Sequence, residues 1–383
     1  MLTRLARAWS AALMLILLAS LLAACAGAPQ AAAPTQPAAT SAPAEAPTSA
    51  PVATEAPTAQ AAEQPAAAPT DAGRLVIYSG RSESLVGPII AQFTDATGIK
   101  VDVRYGSTAE MAATLLEEGG QSPADLFFAQ DPGGLGAVAK AGLFAPLPED
   151  LLALVPERFR STDGRWVGIS GRARVVVYNT ETLQPQNLPA DIWEFTDPRW
   201  SGRIGWAPAN GSFQAMVTAM RASWGEEKTR EWLAGVQANA PKVFEGNAPI
   251  VEAVAAGEVE VGFVNHYYLY RFLQEQGEGF KARNHFLSGS GPGSLIMTAG
   301  AGRLAGGKNE ANALKFIRFL LAPLAQQYFA SQTFEYPLVA GVATQRELPP
   351  LAELDASALK ITMDDLHDLR GTTQLMQDVG VLP

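Results

Sequence analysis

From about residue 74 onward, apolar and polar positions alternate in blocks of strand and helix character. "RLVIYSG" is a β-rich run ending in turn residues, and "SESLVGPIIAQFTDATG" spaces its apolar positions for a helix closed by Gly98. "IKVDVRYGS" alternates as a strand, "TAEMAATLLEEGG" reads as a helix with a glycine stop, and "ADLFFAQD" as a second buried strand. This βαβαβ order predicts a mostly parallel sheet with helices on both faces and a ligand beyond the carboxyl ends of its strands. After "GRARVVVYNT" the pattern restarts through "GRIGWAPANGSFQAMVTAMRASWG", "EKTREWLAGVQAN", "APIVEAVAAGE" and "VEVGFVNHYYLYRFLQEQG". Beyond residue 300, "NEANALKFIRFLLAPLAQQYFASQ" predicts one long helical stretch, and "TMDDLHDLRGTTQLMQDVGVL" one more helix. No fixed period recurs, so the reading is two lobes and not a solenoid.

The first 73 residues follow different rules. Arg4 and Arg7 precede the apolar run "ALMLILLASLL", too short for a comfortable membrane span, and small residues follow it, which predicts an export signal over residues 1–25. Its end, "LAAC", resembles the bacterial lipobox; that resemblance implies lipidation of Cys25, the sole cysteine, and cleavage before it. With Cys25 consumed, no thiol is left for a disulfide, a thiolate metal site or catalysis. Residues 26–73 are almost wholly Ala, Pro, Thr, Ser and Gln, a composition that buries too little apolar surface to order itself and reads as a tether. The 383-residue chain is 48% hydrophobic with a formal charge of −10 and no basic block, which supports ordinary cores and excludes a footprint for nucleic acid. No GxSxG elbow, no usable cysteine and only three histidines argue against a hydrolase or transferase. His285 and His367 stand in unrelated segments.

Two stretches carry candidate chemistry. In "NHYYLYRF" two tyrosines, Tyr267 and Tyr268, are adjacent. Side chains that follow each other in a strand face opposite ways, so a joint role requires a strand-to-helix junction at "NHYY"; the plainer alternative is an aromatic patch packed on the sheet, which is the reading for Tyr270. In "PANGSF", Asn210, Gly211 and Ser212 stand at a predicted helix start, where free N–H groups and the dipole favour an anion, or where Asn210 is simply a cap.

Taken in order, "LVIYSGRSESLVGPIIAQFTDATGIKV", "SPADLFFAQD", "AGLFAPL", "ISGRARVVVYNT", "WSGRIGWAPANGSF", "VEVGFVNHYYLYRF" and "FEYPLVAGV" resemble the ferric-iron-binding proteins of bacterial ABC importers, across essentially everything from Leu75 onward. The resemblance implies an α/β, type II periplasmic-binding-protein-like fold: two mixed-sheet α/β lobes joined by two crossover segments, near Arg174 and Thr298, with the ligand cleft between them. The amino-terminal lobe then takes 74–174 and 299–349, and the carboxy-terminal lobe 175–298 and 350–383. It implies Fe(III) as transported ligand on Tyr267 and Tyr268, hard phenolate donors suited to that ion, with carbonate or phosphate as a synergistic anion. Arg172, Asn210, Gly211, Ser212, Asn247 and Asn265 match its anion-contacting positions, and Arg174 lies one alternation from Arg172.

The chain also departs from the pattern. Where one subgroup supplies a histidine and a glutamate, it has Ser82 and Gln130; where another supplies a further tyrosine, it has Phe213. These three, with Arg174, are expected at the cleft or just behind it. Glu83, Asp131 and His266 stand nearby as substitute ligands, or as solvated loop residues or caps. The expected partners are an ABC permease and its ATPase and the membrane, through a lipid anchor at Cys25, for a monomer held on the periplasmic side or outer cell surface. The departures leave an alternative on the same fold: an organic or anionic solute such as a phosphonate, a polyamine, thiamine or a ferric chelate.

Overall fold

In β1 (Arg74–Ser79), the first strand of the computed structural model, Leu75 and Ile77 through Ser79 are buried and only Arg74 is exposed. The structure describes residues 72–289, 291–344, 348–357, 359 and 361–383; the export signal, Cys25 and nearly all of the tether lie outside the described residues. β1 pairs in parallel with β2 (Lys100–Tyr105) and β3 (Leu126–Ala129). Between them run α1 (Glu83–Thr97) and α2 (Thr108–Glu118). Gly98 ends α1 in the left-handed region at φ 71 and returns its N–H to the Thr94 carbonyl, while Ser107 and Glu110 close a reciprocal capping box on α2. α3 (Pro132–Lys140) leaves β3 with proline at its first position, where the missing N–H costs nothing; α4 (Glu149–Leu152) is a single turn.

β4 (Val167–Asn179) is thirteen residues long and buried throughout, because it belongs to both halves of the sheet. Residues 167–173 run antiparallel to β9 (Ile296–Arg303), and residues 174–178 antiparallel to β7 (Val261–Asn265). The second half repeats the strand–helix alternation: β5 (Ile204–Trp206), α5 (Gly211–Trp224), α6 (Glu226–Ala238), β6 (Lys242–Val243), α7 (Asn247–Ala255), β7, α8 (Tyr267–Gln276) and β8 (Ala282–His285). Here β5 is parallel to β6 and β7, and β8 is antiparallel to β4. Each half is therefore mixed and not mostly parallel: the strands that carry the chain between halves, β4 and β9, run against their neighbours.

The expected long helix is two, α9 (Glu310–Leu320) and α10 (Pro323–Gln332). Pro323 has no N–H to continue the ladder, and Ala322 before it is extended at ψ 150. A two-residue β10 (Tyr336–Pro337) then returns to β4. After α11 (Leu351–Ser357), the last expected helix is a 3₁₀ turn, Met363–Leu366, followed by α12 (Leu369–Asp378), with the Asp368 side chain accepting the Gly371 N–H at the break. This tail touches both halves. Asp364 accepts from the Thr162 N–H and hydroxyl, each at 2.8 Å; Thr372 meets Thr218 on α5 at 2.7 Å; and a Cβ at Gly136 of α3 would come within 2.7 Å of the His367 Cβ.

The first half is packed around Ile77, Phe93, Phe128, Phe316 and Phe329, with Phe93 edge-on to Phe316 at 5.0 Å. The second is packed around Trp206, Phe213, Trp232 and Phe263. Across the sheet α7 presses so close to β7 that a Cβ at Gly262 would lie 2.1 Å from an Ile250 methyl; glycine there is a packing requirement.

Candidate ligand cleft

β7 stops at Asn265, His266 already has helical angles (φ −55, ψ −39), and α8 begins at Tyr267. That junction turns the two phenols the same way. Their rings stack at a centroid distance of 4.4 Å and 26° between planes, with the Arg271 guanidinium 5.3 and 5.8 Å from the two centroids. Tyr267 is 2% exposed. Burial first, then the adjacent Tyr268, push its phenol well above its ordinary value, with Arg172 pulling the other way. An isolated tyrosinate pair in this position is disfavoured, and only a nearby cationic charge would reverse the balance.

The pair lines a cleft of ≈ 200 Å³. The second half contributes Asn210, Gly211, Ser212 and Asn265 to its wall, the first half Ser82, Gln130 and Asp131, and the shared strand β4 contributes Arg172. Arg172, 1% exposed, donates from Nη2 to the Asp131 carboxylate at 3.0 Å and to the Gln130 carbonyl. Burial alone would lower its pKa, but Asp131, followed by Tyr267 and Glu335, holds it above the ordinary value.

Arg174 and Asn247 sit behind that wall. Arg174 Nη1 donates to Asn265 Oδ1 (3.0 Å), Asn247 Oδ1 (3.3 Å) and Ser212 Oγ (3.4 Å). Asn210 Oδ1 accepts from the Ser212 N–H (3.1 Å), the Ser212 hydroxyl (2.6 Å) and Asn247 Nδ2 (3.1 Å), so the predicted cap and the rest of the set form one hydrogen-bonded network. Burial, then Arg172, draws the Arg174 guanidinium down to about 9, and its Nε and Nη2 have no protein partner.

Three expectations change. Phe213, expected at or behind the cleft, is turned inward: it is 1% exposed and meets Trp206 at 5.7 Å and Trp232 at 6.4 Å, because the next residue along α5 from Ser212 faces the core. Phe213→Ala is expected to lower stability by about 3–5 kcal/mol, measured by urea unfolding. His266 is no substitute ligand. Its Nδ1 accepts the Ala173 N–H at 3.1 Å, which leaves Nε2 to donate to the Phe334 carbonyl at 2.7 Å; both nitrogens are used, and burial lowers its pKa to about 4. Glu83, on the exposed first turn of α1, does not line the cleft. Ser82 and Gln130 do reach it; the Gln130 Oε1 is buried there without a partner. Tyr270 packs against His266 and Phe334.

A buried ion pair supports the cleft from below. Arg81 Nη2 donates to Glu335 at 2.7 Å, with the Ser170 and Thr333 hydroxyls on the same carboxylate oxygen. Burial would raise the Glu335 carboxyl, but Arg81 and then Arg172 outweigh it and keep it below its ordinary value. Among the described residues no three His, Cys, Asp or Glu side chains cluster as a metal site, so the anionic oxygens facing the cleft are those of Asp131 and, once ionised, the two phenols.

Residues 121–367 match the family model described as bacterial extracellular solute-binding protein. The chain belongs to this family. The solute-binding protein is 34% identical over 318 residues to the Fe(3+)-binding periplasmic protein of Serratia marcescens, a match covering 82% of this chain and 93% of that one. It is 32% identical over 319 residues to the major ferric iron-binding protein of Neisseria meningitidis, covering 82% and 95%. Among solved structures it resembles iron-bound HitA from Pseudomonas aeruginosa, with TM-score 0.76 and 35% identity over 80% of this chain and 99% of that one. It also resembles the Trichodesmium protein IdiA (FutA) in complex with iron and citrate ligands, with TM-score 0.70 and 28% identity over 80% and 99%. The two halves are thus the lobes of a type II periplasmic-binding fold, and the solute-binding protein serves transport, not catalysis.

Proposed function

We propose that this solute-binding protein captures Fe(III) in the interlobe cleft through the phenolates of Tyr267 and Tyr268 and delivers it to an ABC permease and its ATPase. The carrying observation is the tyrosine pair, stacked at the start of α8 on the cleft wall. An anionic oxygen held by Arg172 and the first turn of α5 completes the set; carbonate or phosphate on Arg172, Asn210, Gly211 and Ser212 is one source, with Asn247, Asn265 and Arg174 bracing that wall. The lobes, 74–174 with 299–349 and 175–298 with 350–383, close over the ion about β4 and β9. The protein works as a monomer, lipid-anchored at Cys25 on the periplasmic side or outer surface, with residues 26–73 as a leash of roughly 3 Å per residue where polyproline-like.

A second reading draws on a cavity of ≈ 530 Å³ that shares Gly80, Gln130, Asp131, Asn210 and Gly211 with the cleft and continues along Ala109, Ala112 and Ala113. It suits a ferric chelate or organic solute with an apolar body. Titration of the metal-free protein with ferric citrate decides: the ferric reading expects one equivalent of tyrosinate-to-iron charge-transfer absorbance per chain. No colour, from a folded protein supplied with bicarbonate or phosphate, moves the assignment to an organic solute.

A further inference from the structure

On the ferric reading above, we propose that the anion partnering the metal is built into the chain: the carboxylate of Asp131 takes the place of a dissolved synergistic anion. Asp131 is the N-cap residue of α3, yet its side chain caps nothing there, although an aspartate in that position ordinarily accepts an N–H of its own first turn. It is turned across the cleft instead. Oδ1 lies 3.0 Å from Arg172 Nη2, and Oδ2 lies 3.3 Å from where a Cβ on Gly211 would stand, at the first turn of α5. Arg172 and that helix start are the two features that would attract carbonate or phosphate, and one carboxylate already faces both. A Cβ at position 211 would crowd that oxygen, so glycine there leaves it the most room from the opposite lobe.

The chemistry is suited to the role. A carboxylate is a hard oxygen donor of the kind Fe(III) prefers, and Arg172, already paired, fixes its orientation as outer partners do for metal ligands. A tethered anion is present at high effective concentration whatever the medium contains. Loading then requires no bicarbonate, and an added anion must displace Asp131 before it can reach Arg172.

The test uses metal-free protein in carbonate- and phosphate-free buffer, loaded by oxidising ferrous perchlorate with CO₂-free oxygen, and reads the charge-transfer band. The wild type is expected to colour fully without added anion and to keep its band when bicarbonate is added. Asp131→Asn is expected to bind roughly 10–100-fold more weakly in the same buffer and to regain colour with bicarbonate, which also shows that the variant is folded. Loss that bicarbonate does not restore, at an unchanged Tm, supports Asp131 as a ligand in its own right. Asp131→Ser, a residue well suited to an N-cap, replaces the Asn variant if that one does not fold. A wild type that stays colourless until bicarbonate or phosphate is added, or an Asn variant that matches the wild type without either, overturns the assignment. Absence of colour in every condition, ferric citrate included, defeats the ferric reading itself, an outcome separate from these.

Discussion

Tyr267→Phe and Tyr268→Phe, made singly, are each expected to abolish the charge-transfer band and to weaken ferric binding by roughly 10²–10³-fold. The magnitude follows from structural metal sites, where about 10–16 kcal/mol shared among four donors leaves ~2.5–4 kcal/mol for each. Phenylalanine preserves the ring stack and the contact with Arg271 and gives up only the hydrogen bond between the two phenols. The apo variants should therefore keep the wild-type Tm, so weaker binding reports a lost donor and not a damaged lobe. Competition against citrate measures the affinity. If one variant retains both colour and affinity, that phenol is a packing residue and a single tyrosinate serves the ion.

Acid should release the cargo steeply. A tyrosine ordinarily ionises near pH 10, and burial together with Tyr268 places the Tyr267 phenol well above that. On the proposed phenolate coordination the free cleft is the protonated form and the loaded cleft the deprotonated one, so the metal would have to displace protons. Affinity therefore rises with pH and is lost as pH falls, by about one decade per pH unit for each displaced proton, or about two decades when both phenols bind. Between pH 7 and pH 5 the loss is about four decades, read from citrate competition corrected for the chelator's own protonation. A slope near one would leave a single coordinated phenolate; a flat profile would remove phenolate coordination altogether. His266 adds nothing in this window, since burial holds it neutral down to about 4.

Much of this molecule could be read without coordinates because the signals are local. Apolar periodicity marked β1, α1, β2, α2 and β3 in order, Gly98 and the glycine after α2 marked where helices stop, and "NHYY" marked the turn from β7 into α8. The break at Pro323 was also written in the chain, but apolar spacing continues across it and masks a residue that cannot extend the hydrogen-bond ladder.

What the tertiary structure decided are relations between distant residues. Arg172 and Arg174 share one strand face, and no local pattern tells which meets the cleft; β4 changes partner between 173 and 174, leaving Arg172 on the Asp131 carboxylate and Arg174 behind the wall with asparagines. Phe213 turned into the tryptophan core because helix phase, not residue type, sets its direction. Asp131 reads locally as a cap; only the approach of two segments 41 residues apart makes it a partner of Arg172. Periodicity and capping act over a few residues and can be read from the chain, whereas the pairing of buried charges depends on which strands become neighbours.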